Sequence, residues 1–229
     1  MFKRINSYLI FLLLTFLVLG AQTGVWAILL ADVVAAIQIS ESQIGIGLMI
    51  HSLVGLLSIY IGGKIADKFS RKVVLIFAFF GTGMFYYALT FIDSFYLLII
   101  IFAVGGIFVS FYDLIANTLG GDYENYHNKP VLTPLHASFS VGAAIGSIIT
   151  GILISKDIDY TSIYISIAVL LLVMGIISLF IKTEYRVNDQ MSNEISEDRK
   201  KNKQKTLHFG KYFNSEFIDF VYFFHREFS

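Results

Sequence analysis

Residues 62–74 read GGKIADKFSRKVV and concentrate five formal charges between two strongly apolar stretches. The chain as a whole has 229 residues, of which 56% are hydrophobic and 15% charged, and its mean hydropathy is +0.70. A soluble domain cannot bury that much apolar surface, so this composition indicates an integral membrane protein. The charged stretch is then predicted to be a turn between two membrane-spanning segments.

Six apolar runs are long enough to cross a bilayer, whose hydrocarbon core of about 30 Å takes roughly 20 helical residues. In lipid, runs of this length satisfy their backbone hydrogen bonds only as helices, which excludes strands. We therefore predict an all-α integral membrane protein, with a six-transmembrane-helix bundle over residues 1–183. The first run continues well beyond the apolar core of a signal peptide and is predicted to be a retained helix. The predicted spans are 7–36, 43–65, 72–92, 95–118, 134–155 and 160–182.

Three helix starts carry capping residues. Ser40 and Gln43 have the spacing of a capping box before the second helix. Ser70 is placed to cap the third helix, and Thr133 followed by Pro134 predicts the N-cap and first position of the fifth.

The distribution of lysine and arginine predicts the orientation. With the N-terminus in the cytoplasm, 16 of the 17 basic residues lie inside and only Lys156 lies outside. Such an asymmetry is typical of the positive-inside rule. We expect both termini to be cytoplasmic in a multi-pass protein of the cell membrane.

The composition changes after the sixth span. Residues 184–206 are polar and predicted to be a cytoplasmic linker, whose basic run at 199–203 is either solvated or in contact with anionic lipid. Residues 207–229 contain nine phenylalanines and tyrosines but are too short and too charged to span. This tail is interpreted as disordered, as interfacial, or as the product of a truncation.

The charged stretch follows the pattern G-x-x-x-D-[RK]-x-G-[RK]-[RK] with Gly63, Asp67, Lys68, Arg71 and Lys72. The pattern and its place between the second and third helices resemble the major facilitator superfamily, although Ser70 replaces the usual glycine. We expect Gly63 to allow close backbone approach and Asp67 to pair with Arg71 or Lys72. The resemblance implies that this loop helps to hold one access state against the other half of the transporter. The alternative role is a topology anchor.

Several polar side chains lie inside predicted helices. Asp113 and Asn117 are one turn apart in the fourth helix. An aspartate within the membrane is costly, so it should face the bundle interior or water, either as a protonatable site or as a structural hydrogen-bonding group. In the fifth helix, His136 and Ser140 share a face and are predicted to line a cavity, with a structural role at the membrane interface as the alternative for His136. Trp26 in the first helix is a candidate either for the solute pathway or for an anchor at the membrane interface.

Two further features concern packing. Ser138, Gly142, Gly146 and Thr150 form a small-residue seam along the fifth helix, which predicts close contact with another helix. His51 in the second helix is interpreted as a packed histidine with a hydrogen bond.

The fourth and fifth helices, and a short part of the first, resemble bacterial transporters of the fucose permease group. By that resemblance, Asp113 belongs to the proton and sugar pathway, and Trp26 would stack on a sugar ring. The matching residues are Gly24, Trp26, Ala27, Asp113, Asn117, Glu124, Asn128, Lys129, His136, Phe139, Ser140 and Gly142.

The predicted function is secondary active transport of a small solute with protons, with sugar as the class that the resemblance implies. The chain corresponds to the N-terminal half of the family's fold, so we expect a truncated half that is inactive alone. The alternatives are a half that works with a second half or as a homodimer, including as an efflux carrier, and a binding or regulatory subunit. No enzyme motif, cofactor, metal site or nucleic-acid interface is predicted, and the chain has no cysteine.

Overall fold

The structure, a computed structural model, describes residues 7–181 except for the side chain of Asp67. The predicted linker and tail, 184–206 and 207–229, lie outside the described residues. The described part of the chain is all-helical, and its six long helices are all apolar enough to cross a membrane, as predicted. The elements are α1 (Ser7–Ile37), α2 (Glu41–Lys68), α3 (Arg71–Ala88) followed by a 3₁₀ turn (Leu89–Phe91), α4 (Phe95–His127), α5 (Leu132–Ile154) and α6 (Tyr160–Phe180).

The helices associate mainly in pairs. Helix α1 packs along α5 and α2 packs along α4, while α3 lies against both α6 and α4. Tyrosine hydroxyls connect these pairs through the core, because the Tyr86 Oη donates to the Gln22 carbonyl at 2.9 Å and the Tyr112 Oη to the Thr15 carbonyl at 2.6 Å. Helices α3 and α4 are thereby joined to α1.

Glycines set the distance between α1 and α5. A Cβ atom added at Gly142 would lie 2.0 Å from the Leu17 carbonyl oxygen, and one at Gly146 would lie 2.3 Å from that of Ala21. The Ser138 Oγ donates to the Leu13 carbonyl at 2.8 Å on the same line. The predicted small-residue seam is thus confirmed, since only residues without a bulky side chain let two backbones approach this closely.

Helix α4 ends later than predicted. It runs to His127 rather than stopping near 118, because polar residues continue the helix after the apolar run has ended. Asn128 terminates it in the left-handed conformation, with φ 49° and ψ 46°. The apolar run predicts only the part of α4 that lies in the hydrocarbon core of the bilayer, and it does not indicate how far the helix continues beyond that core.

The helix starts agree with the sequence in one case of three. Ser40 and Gln43 form the predicted capping box. Ser70 occupies the N-cap position of α3, but its side chain makes no capping hydrogen bond. The prediction for Thr133 and Pro134 was wrong, because Val131 is the N-cap and both residues lie within the first turn of α5.

Candidate functional site

The charged stretch spans α2 and α3 and contacts two further helices, α4 and α6. It includes the last turns of α2, the bend at Phe69 and Ser70, and the first turn of α3. Arg71 forms an ion pair with Asp122 of α4. The Lys72 Nζ donates to the carbonyl oxygens of Leu179 at 2.9 Å and Ile181 at 2.7 Å, at the end of α6. A lysine at this position satisfies carbonyl groups that a helix end leaves without partners.

Two expectations for this stretch concern Gly63 and Asp67. A Cβ atom at Gly63 would have no atom within 4 Å, so the expected close approach is not found among the described residues. Its neighbour Gly62 is the packed glycine, and a Cβ there would lie 2.8 Å from the Phe111 ring. The side chain of Asp67, and with it the expected pairing with Arg71 or Lys72, lies outside the described part of the chain. Asp122, the partner that Arg71 does have, was not anticipated, because 51 residues separate the two in sequence.

A carboxylate of α4 also stabilises the start of α5. The Glu124 Oε2 accepts the backbone N–H of Val131 at 2.7 Å and that of Leu132 at 3.0 Å. These amides lie at the N-terminal end of α5, where the helix leaves its donors unsatisfied and favours negative charge. Glu124 therefore takes the capping role that the sequence had assigned to Thr133.

Asp113 and Asn117 form a hydrogen-bonded pair on α4. The Asn117 Nδ2 donates to Asp113 Oδ1 at 2.9 Å and to the Asp113 carbonyl oxygen at 2.9 Å. Asp113 is exposed on the surface of the bundle. Nine residues separate it from Asp122, about 14 Å of helix at 1.5 Å per residue, which places its carboxylate within the membrane-spanning part of α4.

His136 and Ser140 lie on α5 near this pair. His136 lies within electrostatic range of the Asp113 carboxylate, and the His136 ring meets the edge of Phe16 with 5.4 Å between ring centroids. The Ser140 Oγ donates to the His136 carbonyl at 3.2 Å. Both side chains are exposed, so the structure places these predicted residues, together with Asp113, on the exposed surface of α4 and α5.

The exposed surface of α5 has two chemically different flanks. His136 and Ser140 lie to one side of the glycine seam. Large aliphatic side chains occupy the other side, where Ile145 is 43% and Ile152 50% exposed. Lipid suits the aliphatic flank, whereas the polar flank requires water or protein.

Trp26 belongs to a separate aromatic cluster. It stacks on His51 with 5.8 Å between ring centroids and also meets Phe102 at 4.9 Å and Phe85 at 5.3 Å. Trp26 lies ten residues beyond Phe16 along α1, about 15 Å at the helical rise. The structure therefore does not bring Trp26 together with the Asp113 and His136 group.

His51 is held by packing and by one hydrogen bond. Its Nδ1 is 3.0 Å from the Phe102 carbonyl oxygen, and its ring also meets the ring of Phe85. The interpretation of His51 as a packed, hydrogen-bonded histidine is confirmed.

Within residues 7–181, no three histidine, aspartate or glutamate side chains come close enough to hold a metal ion. The Asp113 group offers one carboxylate, one imidazole, one amide and one hydroxyl, which suit hydrogen bonding to a polar molecule and proton exchange.

A comparison with protein-family models gives one match. The model of the Major Facilitator Superfamily matches residues 11–226, which includes all of α2 to α6 and nearly all of α1. No curated protein matches the chain.

Proposed function

The chain belongs to the major facilitator superfamily, a family of membrane transporters, and we propose that it carries a small polar solute together with protons. The solute class favoured is sugar, in keeping with the likeness of α4 and α5 to the fucose permease group. The solute and protons would pass along the polar surface formed by Asp113, Asn117, His136 and Ser140.

The exposed carboxylate of Asp113 supports this proposal most directly. A charged aspartate at the centre of a membrane helix costs about 2.5–3.5 kcal/mol on insertion scales. The bundle does not enclose Asp113, and its neighbours His136 and Ser140 are exposed as well. A group of polar side chains kept at this depth is best explained by contact with a water-filled pathway.

The neighbours suggest a division of tasks. Asp113 would bind and release the proton, and the Asn117 amide, at 2.9 Å from its Oδ1, would orient the carboxylate. His136, which acts electrostatically on Asp113, would make proton release depend on what occupies the pathway. The Ser140 hydroxyl, exposed one turn further along α5, would donate to or accept from a solute hydroxyl.

A second six-helix body would complete the pathway. In this superfamily the substrate site lies between two halves, near the bilayer midplane. The polar flank of α5 and the exposed Asp113 are suited to face such a body, supplied by a second half or a second copy. With the positive-inside asymmetry, the charged stretch would lie at the cytoplasmic surface of the cell membrane.

The proposal is tested with the full chain in proteoliposomes that enclose a pH-sensitive dye. A proton gradient is imposed, and sugars, amino acids and organic anions are added as separate classes. With a second copy of the chain completing the pathway, we expect one class to produce coupled proton movement, and Asp113→Asn to abolish that coupling while the protein remains folded in the membrane. Asp93→Asn is the matched control, because Asp93 is an exposed aspartate in the connection between α3 and α4.

Two results would count against this function. Coupling that survives Asp113→Asn would remove the proton role of Asp113. Binding of a solute without any flux would favour a binding or regulatory role instead of a carrier.

A further inference from the structure

The basic residues of the charged stretch divide into two groups. Arg71 and Lys72 are half-buried and bound to α4 and α6. Lys64 and Lys68 are exposed on α2. Among the side chains that the structure describes, neither Lys64 nor Lys68 forms an ion pair. The described contacts therefore give the first group of cations a part in joining helices and give the second group no such part.

Aromatic side chains accompany the two exposed lysines. The Lys64 Nζ donates to the Tyr60 Oη at 3.0 Å and lies 4.3 Å from the centroid of the Tyr60 ring. The Lys68 Nζ lies 5.9 Å from the centroid of the Phe69 ring. An ammonium group has three donors, so the single bond to Tyr60 leaves Lys64 with donors for another acceptor.

The adjoining surface of α2 is strongly apolar. Leu56 and Leu57 are each 66% exposed and Ile61 is 53% exposed. Tyr60, which is 70% exposed, lies where this apolar surface gives way to the lysines. Tyrosine favours the boundary between hydrocarbon and headgroups, and lysine extends its ammonium group toward the polar side of that boundary. In a membrane, the ammonium groups would therefore reach the level of the lipid phosphates.

We propose that Lys64 and Lys68 bind the headgroup phosphate of an anionic glycerophospholipid in the leaflet at this end of α2. The two residues are one helical turn apart, about 5–6 Å between Cβ atoms, which lets both reach one phosphodiester. The acyl chains cover Leu56, Leu57 and Ile61. These apolar contacts favour a lipid over free phosphate, which would leave that surface unused. The site does not depend on solute transport.

The test measures lipid selectivity of the full chain in vesicles, with spin-labelled phosphatidylglycerol and phosphatidylcholine as probes. We expect the protein to immobilise phosphatidylglycerol preferentially. Lys64→Gln combined with Lys68→Gln should reduce the preference by about fivefold for each lysine, the effect of one basic residue near an anionic surface. Lys64→Arg combined with Lys68→Arg should retain it.

Two single substitutions are the matched controls. Lys129 is exposed in the connection between α4 and α5, and Lys156 in that between α5 and α6. Each change to glutamine should leave the preference intact. Inorganic phosphate should displace the lipid no better than chloride at equal ionic strength.

Either of two results overturns the proposal. The first is a preference that survives the double glutamine change. The second is a preference lost equally when Lys129 or Lys156 is changed, since this would indicate general charge attraction rather than a site.

Discussion

Replacing Gly142 by alanine should weaken the contact between α1 and α5. The added Cβ would lie 2.0 Å from the Leu17 carbonyl oxygen, whereas ordinary contact begins at 3.4 Å, so the backbones must separate by about 1.4 Å. Overpacking of this kind costs about 1–3 kcal/mol. The better helix propensity of alanine offsets this by at most about 1 kcal/mol. We expect the free energy of unfolding to fall by about 1–2 kcal/mol.

Gly151 on the same helix provides the matched control. A Cβ atom there would have no atom within 4 Å, so Gly151→Ala should leave stability unchanged or raise it by up to about 1 kcal/mol. Reversible unfolding in mixed micelles, followed by circular dichroism, measures both variants. The reasoning is refuted if Gly142→Ala is as stable as Gly151→Ala, because the seam would then not control the packing of α1 and α5.

Two further predictions concern the ends of the helices. Arg71→Gln and Asp122→Asn should show a coupling free energy of about 1 kcal/mol in a double-mutant cycle of unfolding. This is the value expected for an ion pair whose side chains are 37% and 16% exposed. Purely additive effects of the two substitutions would contradict the ion pair. Glu124→Gln should speed hydrogen exchange of the Val131 amide, because a neutral acceptor replaces a charged one at the start of α5. Glu41→Gln is the control, because Glu41 lies in the first turn of α2, far from Val131, and this change should leave the exchange rate of that amide unaltered. Equal exchange rates in the two variants would argue against capping by Glu124.

The six-helix architecture was predictable because each span is a long apolar run. In lipid, run length alone selects a helix. The capping box at Ser40 and the seam of Gly142 and Gly146 were also predictable, since both depend on spacing within one helix. The family could be recognised from the charged stretch, whose motif is local as well.

What the sequence did not reveal depends on contacts between distant parts of the chain. The end of α4 lies in polar sequence, where apolarity gives no signal. The start of α5 is set by Glu124 from the preceding helix rather than by its own Thr133. The pairing of Arg71 with Asp122 and the stacking of Trp26 on His51 both join helices whose neighbours a single sequence does not specify.

The same distinction applies to the candidate site. The residues Asp113, Asn117, His136 and Ser140 were selected by their polarity within apolar helices. The structure places Asp113, His136 and Ser140 on exposed surfaces of α4 and α5, with Asn117 half-buried beside Asp113. Trp26 was selected by resemblance, and the structure places it in a different aromatic cluster. Trp26 and the Asp113 group lie at different depths along α1. This separation can be recognised only once the packing partners of α1 are known.

Water access to Asp113 is the most direct test of the central claim. The chain contains no cysteine, so Asp113→Cys, Ser140→Cys and Ile145→Cys each give a single reactive site without further changes. Ile145 lies about 140° around α5 from Ser140, on the aliphatic flank. In intact membranes, a charged maleimide should label Asp113→Cys and Ser140→Cys at least about tenfold faster than Ile145→Cys, since thiolate forms poorly in apolar surroundings. Equal labelling of all three would contradict the polar pathway.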